Sequence, residues 1–318
     1  MTNIFTLDTN TTKPKHVVSF SQYSIYSQCP KHWELSYIRK ERIPSTGIDA
    51  IFGTAVHTTI QTWLDVVFNK SIKESEELNL ALMLENEMKK EYVKEREKIG
   101  SDFSTPKQLG EYLVSGIEIL RHVRSNRTKY FPSKDCELVG CEVPLRTQAH
   151  PNIPGIQLWG YLDLVIHFTK LGRYKIIDIK TSRNGWKDAK KKDKISTSQL
   201  VLYKEYFAEK WGIDPKKIDI EYFIVKRQVY TESLFPQKRV QHFAPANGSV
   251  SLKKTRKSFE RFIEECFNPD GSYNTDREYL AIKGKGAKHC TYCPFVNRDD
   301  LCPKKNRLIS PPDKVIGT

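Results

Sequence analysis

The 318-residue chain has no run of about eighteen apolar residues, which excludes a membrane-spanning helix. Its first residues, Met1 to Lys15, hold no apolar stretch of the kind that heads a secreted protein. An intracellular location is therefore expected: the cytoplasm, or the host cytoplasm for a phage-encoded chain. No Gly-rich phosphate loop ending in Lys-Ser/Thr is present, so no ATP-driven motor is expected within the chain. There is no internal repeat, which sets solenoids and propellers aside. Acids are in short supply, with 38 Asp and Glu against 52 Lys and Arg. The resulting net charge of +14 favours a polyanionic partner, nucleic acid before an anionic membrane. No basic amphipathic stretch points to the membrane. The seven cysteines are few for an intracellular chain to use as a disulfide framework. Three of them, Cys290, Cys293 and Cys302, crowd into the last part of the chain and ask for a metal.

What is present is enough apolar sequence for a large core. Residues 1–18 are polar and read as a flexible tail. Residues 19–130 read as a helical N-terminal region. Ser19 or Ser21 can cap a first helix that Pro30 interrupts. Phe52, Val56, Ile60, Trp63, Leu64 and Val67 fall at helical spacing within 48–67. Two further helices are expected over 73–97 and 105–129. The pattern then turns to strands over 136–147, 156–168 and 173–181, rich in Val, Ile, Leu and Tyr. Lys170-Leu171-Gly172-Arg173 reads as the turn of a hairpin joining the last two. A helix at 195–211, strands at 218–227 and 237–244, and a helix at 249–267 follow. Residues 131–267 thus form a mixed α/β core, a sheet with helices on its faces, and 268–318 form a cysteine-bearing tail packing on it.

Chemistry concentrates on two strands. In Arg173 to Thr181, Ile177 and Ile179 share one face while Asp178 and Lys180 share the other. A surface ion pair on an edge strand is one explanation. In Leu158 to Ile166, Asp163 is the sole acid, close to Gly160. If the strands pair as a hairpin, Asp163 lies beside Asp178, and two carboxylates with a lysine make a hard-cation site suited to Mg2+ or Mn2+. Glu142 sits in the strand before the hairpin.

Gly160-Tyr161-Leu162-Asp163 followed by Asp178-Ile179-Lys180 resembles the PD-(D/E)xK nuclease superfamily, in particular its RecB-like exonuclease branch. Three more segments resemble that branch in order and spacing: Ser21 to Cys29-Pro30, Phe52-Gly53-Thr54-Ala55-Val56-His57, and Gln199-Leu200-Val201-Leu202-Tyr203. The resemblance implies a restriction-endonuclease-like core. It implies metal ligation by His57, Asp163, Asp178 and the backbone carbonyl of Ile179. It makes Asp163, Asp178 and Lys180 the catalytic group, with Gln199 and Tyr203 steadying the lysine and the DNA backbone. Without the family, His57 would read as a border residue of an apolar helix face, and Tyr203 as core packing. Glu142 matches a family position poorly and stays outside the expected site.

The resemblance extends to the cysteines. CRISPR-associated RecB-like nucleases and other cluster-bearing members hold a [4Fe–4S] cluster on one N-terminal and three C-terminal cysteines, here Cys29, Cys290, Cys293 and Cys302. The gap from Cys293 to Cys302 is longer than that pattern. Zinc on the four cysteines, zinc on three of them with His289, and a metal-free loop remain open. Cys136, Cys141 and Cys266 read as small buried residues.

A basic stretch follows the second strand. Arg183, Lys187, Lys190, Lys191 and Lys192 are expected to hold nucleic-acid phosphates. Trp186 among them either stacks on a base or anchors the loop. The expected function is a Mg2+- or Mn2+-dependent deoxyribonuclease, an exonuclease on DNA ends or single strands, in replication, recombination or repair. A phage is one such setting, and a helicase or recombinase is the expected kind of protein partner. The alternatives are a non-catalytic DNA-binding subunit on the same fold and a structure-specific endonuclease.

Overall fold

The computed structural model describes residues 14–43, 47–230, 232, 234–235, 237–281 and 288–303. Most of the tail expected at 1–18, and the end of the tail expected at 268–318, lie outside them. In chain order the elements begin with β1 (His16–Val18), α1 (Phe20–Gln28), α2 (Pro30–Trp33) and a π-helical turn (Glu34–Ile38). Next come α3 (Ile48–Asn69), α4 (Ile72–Glu77), α5 (Leu80–Ile99), α6 (Pro106–Ser125) and α7 (Arg127–Tyr130). The strands β2 (Cys136–Gln148), β3 (Ile156–Phe168) and β4 (Arg173–Ser182) follow without interruption. Then come α8 (Asp188–Lys192), α9 (Lys194–Trp211), β5 (Ile218–Lys226), β6 (Val240–Phe243) and α10 (Ser249–Cys266). This is the expected mixed α/β class. No helix among the described residues is long and apolar enough to cross a membrane. The chain divides into two compact units: 46–145 with 161–253, and 8–45 with 146–160 and 254–318.

In the first unit the strand order is β3-β4-β5-β6, with β2 on β3. The β3–β4 hairpin is antiparallel, with Leu164 opposite Ile177 and Phe168 opposite Arg173. Its turn closes at Gly172, whose φ of +57° is a conformation glycine takes without strain. β4 and β5 run parallel, Asp178 opposite Tyr222 and Lys180 opposite Ile224. A parallel pair needs a crossover, and α8 and α9 supply it. β4 is therefore an interior strand. The edge-strand ion pair entertained from the sequence does not apply to Asp178 and Lys180.

Against one face of these strands lies α3. Its Phe52, Val56, Ile60, Trp63 and Leu64 join Leu164, Ile177, Ile179 and Phe223 in one core with α5 and α6. Helix α6 opens with a capping box, Thr105 and Gln108 bonding reciprocally, and Pro106 in its first turn. It passes α5 so closely that a Cβ on Gly116 would lie 2.5 Å from Leu84 Cδ2. The single helix expected over 73–97 is two. Leu78 is extended, and the Asn79 side chain accepts from the Leu82 N–H to start α5 afresh. Likewise α6 stops at Asn126, short of the expected 129.

The second unit is built on aromatic packing. Trp33 is fully buried. Around its ring stand Tyr26, Phe262, Phe267, Tyr273 and Tyr279, with centroids 5.5–6.2 Å away. Pro30 interrupts the first helix as expected: α1 ends at Gln28 and, after Cys29, Pro30 opens α2. β1 adds in parallel to the start of β3, with His16 opposite Ile156. Leu84 is fully buried against α6. Leu84→Ala is expected to lower folding stability by about 2–5 kcal/mol, read as a lower urea midpoint with an unchanged slope.

Candidate active site

Five elements of the first unit bring the site together. β4 places Asp178 in the interior, at 3% exposure, and Lys180 beside it, its Nζ 2.8 Å from Asp178 Oδ2. That contact is out of line for a hydrogen bond, and Oδ2 has no hydrogen-bond partner. Burial, opposed by Lys180, pushes the Asp178 carboxyl above the ordinary carboxylate range. Burial pulls the Lys180 ammonium the other way, but Asp178 and Asp163 outweigh it and leave the lysine firmly protonated.

β3 places Asp163 where the hairpin opens. Its Oδ2 accepts the Ile179 N–H at 2.8 Å. In an extended strand the N–H and C=O of one residue face the same neighbour, so the Ile179 carbonyl looks to the Asp163 side. α3 brings His57. Gly53, one turn earlier, sits against β4 so tightly that a Cβ would lie 3.1 Å from Thr181 Oγ1. That close approach sets the helix, and His57 Nε2 comes to 2.8 Å from Asp163 Oδ2. Burial alone would lower the His57 value, but Asp163, Glu142 and Asp178 raise it.

Glu142 on β2 belongs to the same cluster. His57, Glu142 and Asp163 each offer a ligand atom, all within 4.8 Å of one another. His57 Nδ1 is 3.6 Å from Glu142 Oε1. Glu142 has a φ of +51°, rare for a non-glycine residue and placed inside a strand. Gln61, one turn after His57, donates through Nε2 to Glu142 Oε1 at 2.8 Å and to the Asp163 carbonyl at 2.7 Å. Sequence reasoning set Glu142 aside for its poor family match and passed over Gln61. The lone-acid criterion that singled out Asp163 applies equally to Glu142, the only acid between Leu138 and Leu145.

On the other side, α9 starts at the Asp193 cap and presents Gln199 and Tyr203 one turn apart. Lys180 Nζ donates to Gln199 Oε1 at 3.4 Å. Tyr203, bonded to Gln199, is pushed up to about 12, by burial first, and stays neutral. The expected residues His57, Asp163, Asp178, Ile179, Lys180, Gln199 and Tyr203 thus converge, with Glu142 added.

The basic stretch is laid out differently from the expectation. Arg183 is turned to Gln228, its Nε 2.8 Å from the amide oxygen. Lys187 caps α8, which carries Lys190, Lys191 and Lys192. Trp186 is buried at 5% exposure against Tyr222 and Phe243, with centroids at 4.7 and 5.9 Å. Its ring packs against the sheet and fits the anchoring alternative for the loop.

In the second unit, Cys29, Cys290, Cys293 and Cys302 line one cavity with His32 and His289. Burial pushes the Cys293 thiol up to about 11, with Cys29, Cys290 and Cys302 adding to the effect. The buried His289 Nε2 has no hydrogen-bond partner. Among the described residues no three of these sulfurs lie within 4.8 Å of one another, as the ligands of the His57 cluster do.

The comparisons with known proteins give a family and several solved structures. One of these structures is that of a "Putative exonuclease" from Eubacterium rectale. It is 11% identical, with 94% of this chain and 91% of that chain covered and a TM-score of 0.46. No curated protein sequence matches. The family described as the PD-(D/E)XK nuclease superfamily matches over residues 17–300. That span takes in the Asp163–Asp178–Lys180 group, the helix that brings His57 and the first three cysteines of the cavity, and the chain belongs to the PD-(D/E)XK nuclease superfamily.

Proposed function

We propose that the chain is a Mg2+- or Mn2+-dependent deoxyribonuclease that hydrolyses phosphodiester bonds at the Asp163–Asp178–Lys180 centre. The observation that carries this reading is Asp178 itself: a carboxylate at 3% exposure whose Oδ2 lacks a hydrogen-bond partner. Burying such a charge is costly unless a cation shares it. The neighbouring donor set fits a hard divalent cation. Asp163 and Glu142 offer oxygens and His57 one imidazole nitrogen within 4.8 Å of one another, and the family pattern adds Asp178 and the Ile179 carbonyl from the adjoining strand. A cation held there supplies charge neutralisation to the phosphoryl oxygens and lowers the pKa of water.

The chain's own residues do the rest. Lys180, protonated, places a positive charge beside Asp178 to receive the charge developing on the phosphate. Gln199 fixes the ammonium, and the neutral Tyr203 fixes Gln199. Gln61 ties Glu142 to the Asp163 backbone, so the acids keep their spacing before substrate arrives. DNA as substrate follows from the family and from the net charge of +14. Action as an exonuclease, with a role in replication, recombination or repair beside a helicase or recombinase, rests on the RecB-like motif set. A non-catalytic DNA-binding subunit is disfavoured, because such a subunit has no need of a buried carboxylate–lysine pair set beside a His57–Glu142–Asp163 ligand cluster.

We further propose that Cys29, Cys290, Cys293 and Cys302 hold a [4Fe–4S] cluster. Four thiols on one cavity support it.

Asp178→Asn and Lys180→Ala are each expected to cut the rate on end-labelled DNA by at least about 10²-fold while DNA binding persists. Chelation should stop the wild type and Mn2+ restore it. Wild-type protein that leaves every DNA form intact with Mn2+ present sinks the enzyme reading. Glu142→Ala should raise the Mn2+ concentration giving half-maximal rate by about tenfold or more; an unchanged requirement removes Glu142 from the metal site. Anaerobically purified protein should be brown, with about four irons per chain. Cys290→Ser should lose the colour, and colourless wild-type protein from iron-replete cells removes the cluster and leaves the nuclease intact.

A further inference from the structure

Several lysines of the first unit have acids of their own. Lys175 pairs with Glu221 at 2.8 Å, Lys170 with Asp135 at 2.8 Å, and Lys191 with Asp188 at 3.6 Å. Among the described residues, neither Lys190 nor Lys226 is ion-paired, although both are held in place.

Lys190 is held by the ring of Trp186. Its Nζ stands 4.8 Å from the centroid. The tryptophan is fixed in turn by an amide clamp. Its N–H donates to Gln241 Oε1 at 2.7 Å, and Gln241 Nε2 donates to its carbonyl at 3.2 Å. Lys226 closes β5, opposite Ser182 and one same-face step, about 7 Å, along the sheet from the Lys180–Ile224 pair. Its stem lies against the backbone of Gly185, which has a φ of +88°; a Cβ there would come within 2.9 Å of Lys226 Cε. The loop that carries Trp186 therefore rests on one lysine and supports the other.

We infer that Lys190 and Lys226 form a second phosphate-binding site, taking a backbone phosphate of the nucleic-acid strand whose scissile phosphate lies at Lys180, with Gln241 as its positioning residue. The inference rests on the nuclease reading for the identity of the ligand. Electrostatics supports it. Burial against the protein and the Lys180 charge push the Lys190 ammonium below the usual lysine value. Burial and Lys191 do the same to Lys226. Lys190 thus feels Lys180, offset in part by Asp193, and Lys226 feels Lys191, and a bound anion relieves this repulsion among the ammonium groups. A phosphodiester matches the site because it carries one negative charge with oxygens open on two sides. A lysine contact of this kind holds the strand without reading its sequence. The role thus passes from Trp186, which is buried, to the lysine above it and to one on the neighbouring strand.

The test is binding of a fluorescein-labelled single-stranded DNA oligonucleotide to the full chain by anisotropy, in EDTA, across a salt series. Lys190→Gln and Lys226→Gln should each weaken binding several-fold and reduce the slope of log affinity against log salt by about one. Lys187→Gln and Lys192→Gln should change it less. Gln241→Ala should weaken binding like Lys190→Gln and add nothing when combined with it. Lys190→Gln and Lys226→Gln with wild-type affinity and slope overturn the site, as do equal losses at Lys187 and Lys192. Binding is read without cleavage, so a chain that shows these dependences yet cuts no DNA with Mn2+ loses the nuclease reading and keeps this one.

Discussion

A carboxylate removed from water must be neutralised or hydrogen-bonded, and in this protein that demand falls on Asp178. It lies on an interior strand, so its surroundings come from elements on either side. The Lys180 ammonium is the nearest positive charge, yet its approach to Oδ2 is out of line. Asp163 stands close enough to alter both groups, and His57 to alter Asp178. The centre is thus negative, tight and under-compensated, a state that stabilises little by itself and suits a cation. The parallel pairing with β5, the α9 crossover and the close approach of α3 at Gly53 can each be understood as holding this cluster.

The same logic explains the lysine's supports. An ammonium beside a buried carboxylate gains from the pair only if its geometry is kept. Gln199 keeps it, from a helix whose start is fixed by Asp193. Tyr203, bonded to Gln199, remains neutral because burial makes its anion costly. Polar groups in such a place are useful as a connected set, since each satisfied member orients the next.

Much of this was legible in the sequence because period two and lone acids carry strong information. Asp163 and Asp178 stood out as charges within apolar strands, and Gly172 marked the hairpin that brings the strands together. The ordered motifs then supplied His57, Gln199 and Tyr203, which no periodicity would have separated from ordinary helix faces. What escaped had either a local capping bond or a tertiary contact as its cause. The stop at Leu78 depends on Asn79 capping a new helix, a local bond that competes with a continuous apolar pattern. The burial of Trp186 depends on Tyr222 and Phe243, residues far along the chain. A tryptophan amid lysines looks like a stacking platform until those partners are known. The cysteines were visible as a set, but only the cavity shows Cys29 among the other three.

Glu142 shows how backbone geometry can outweigh motif matching. A left-handed conformation costs an ordinary residue about 1–2 kcal/mol, and a strand interior offers no local compensation. The neighbouring Gly140 is consistent with a bulge, which re-aims a side chain without ending the strand. Re-aimed, Glu142 reaches Gln61 and joins the ligand atoms of His57 and Asp163. Had the strand continued regularly, the alternation of faces would have fixed the direction of this side chain, and nothing would have required the strain. A conformation that the fold could do without, leading to a carboxylate where two other ligands already meet, is better explained by the metal site than by the sheet. The acid that fitted the family pattern least is therefore the one whose backbone argues most directly for its role.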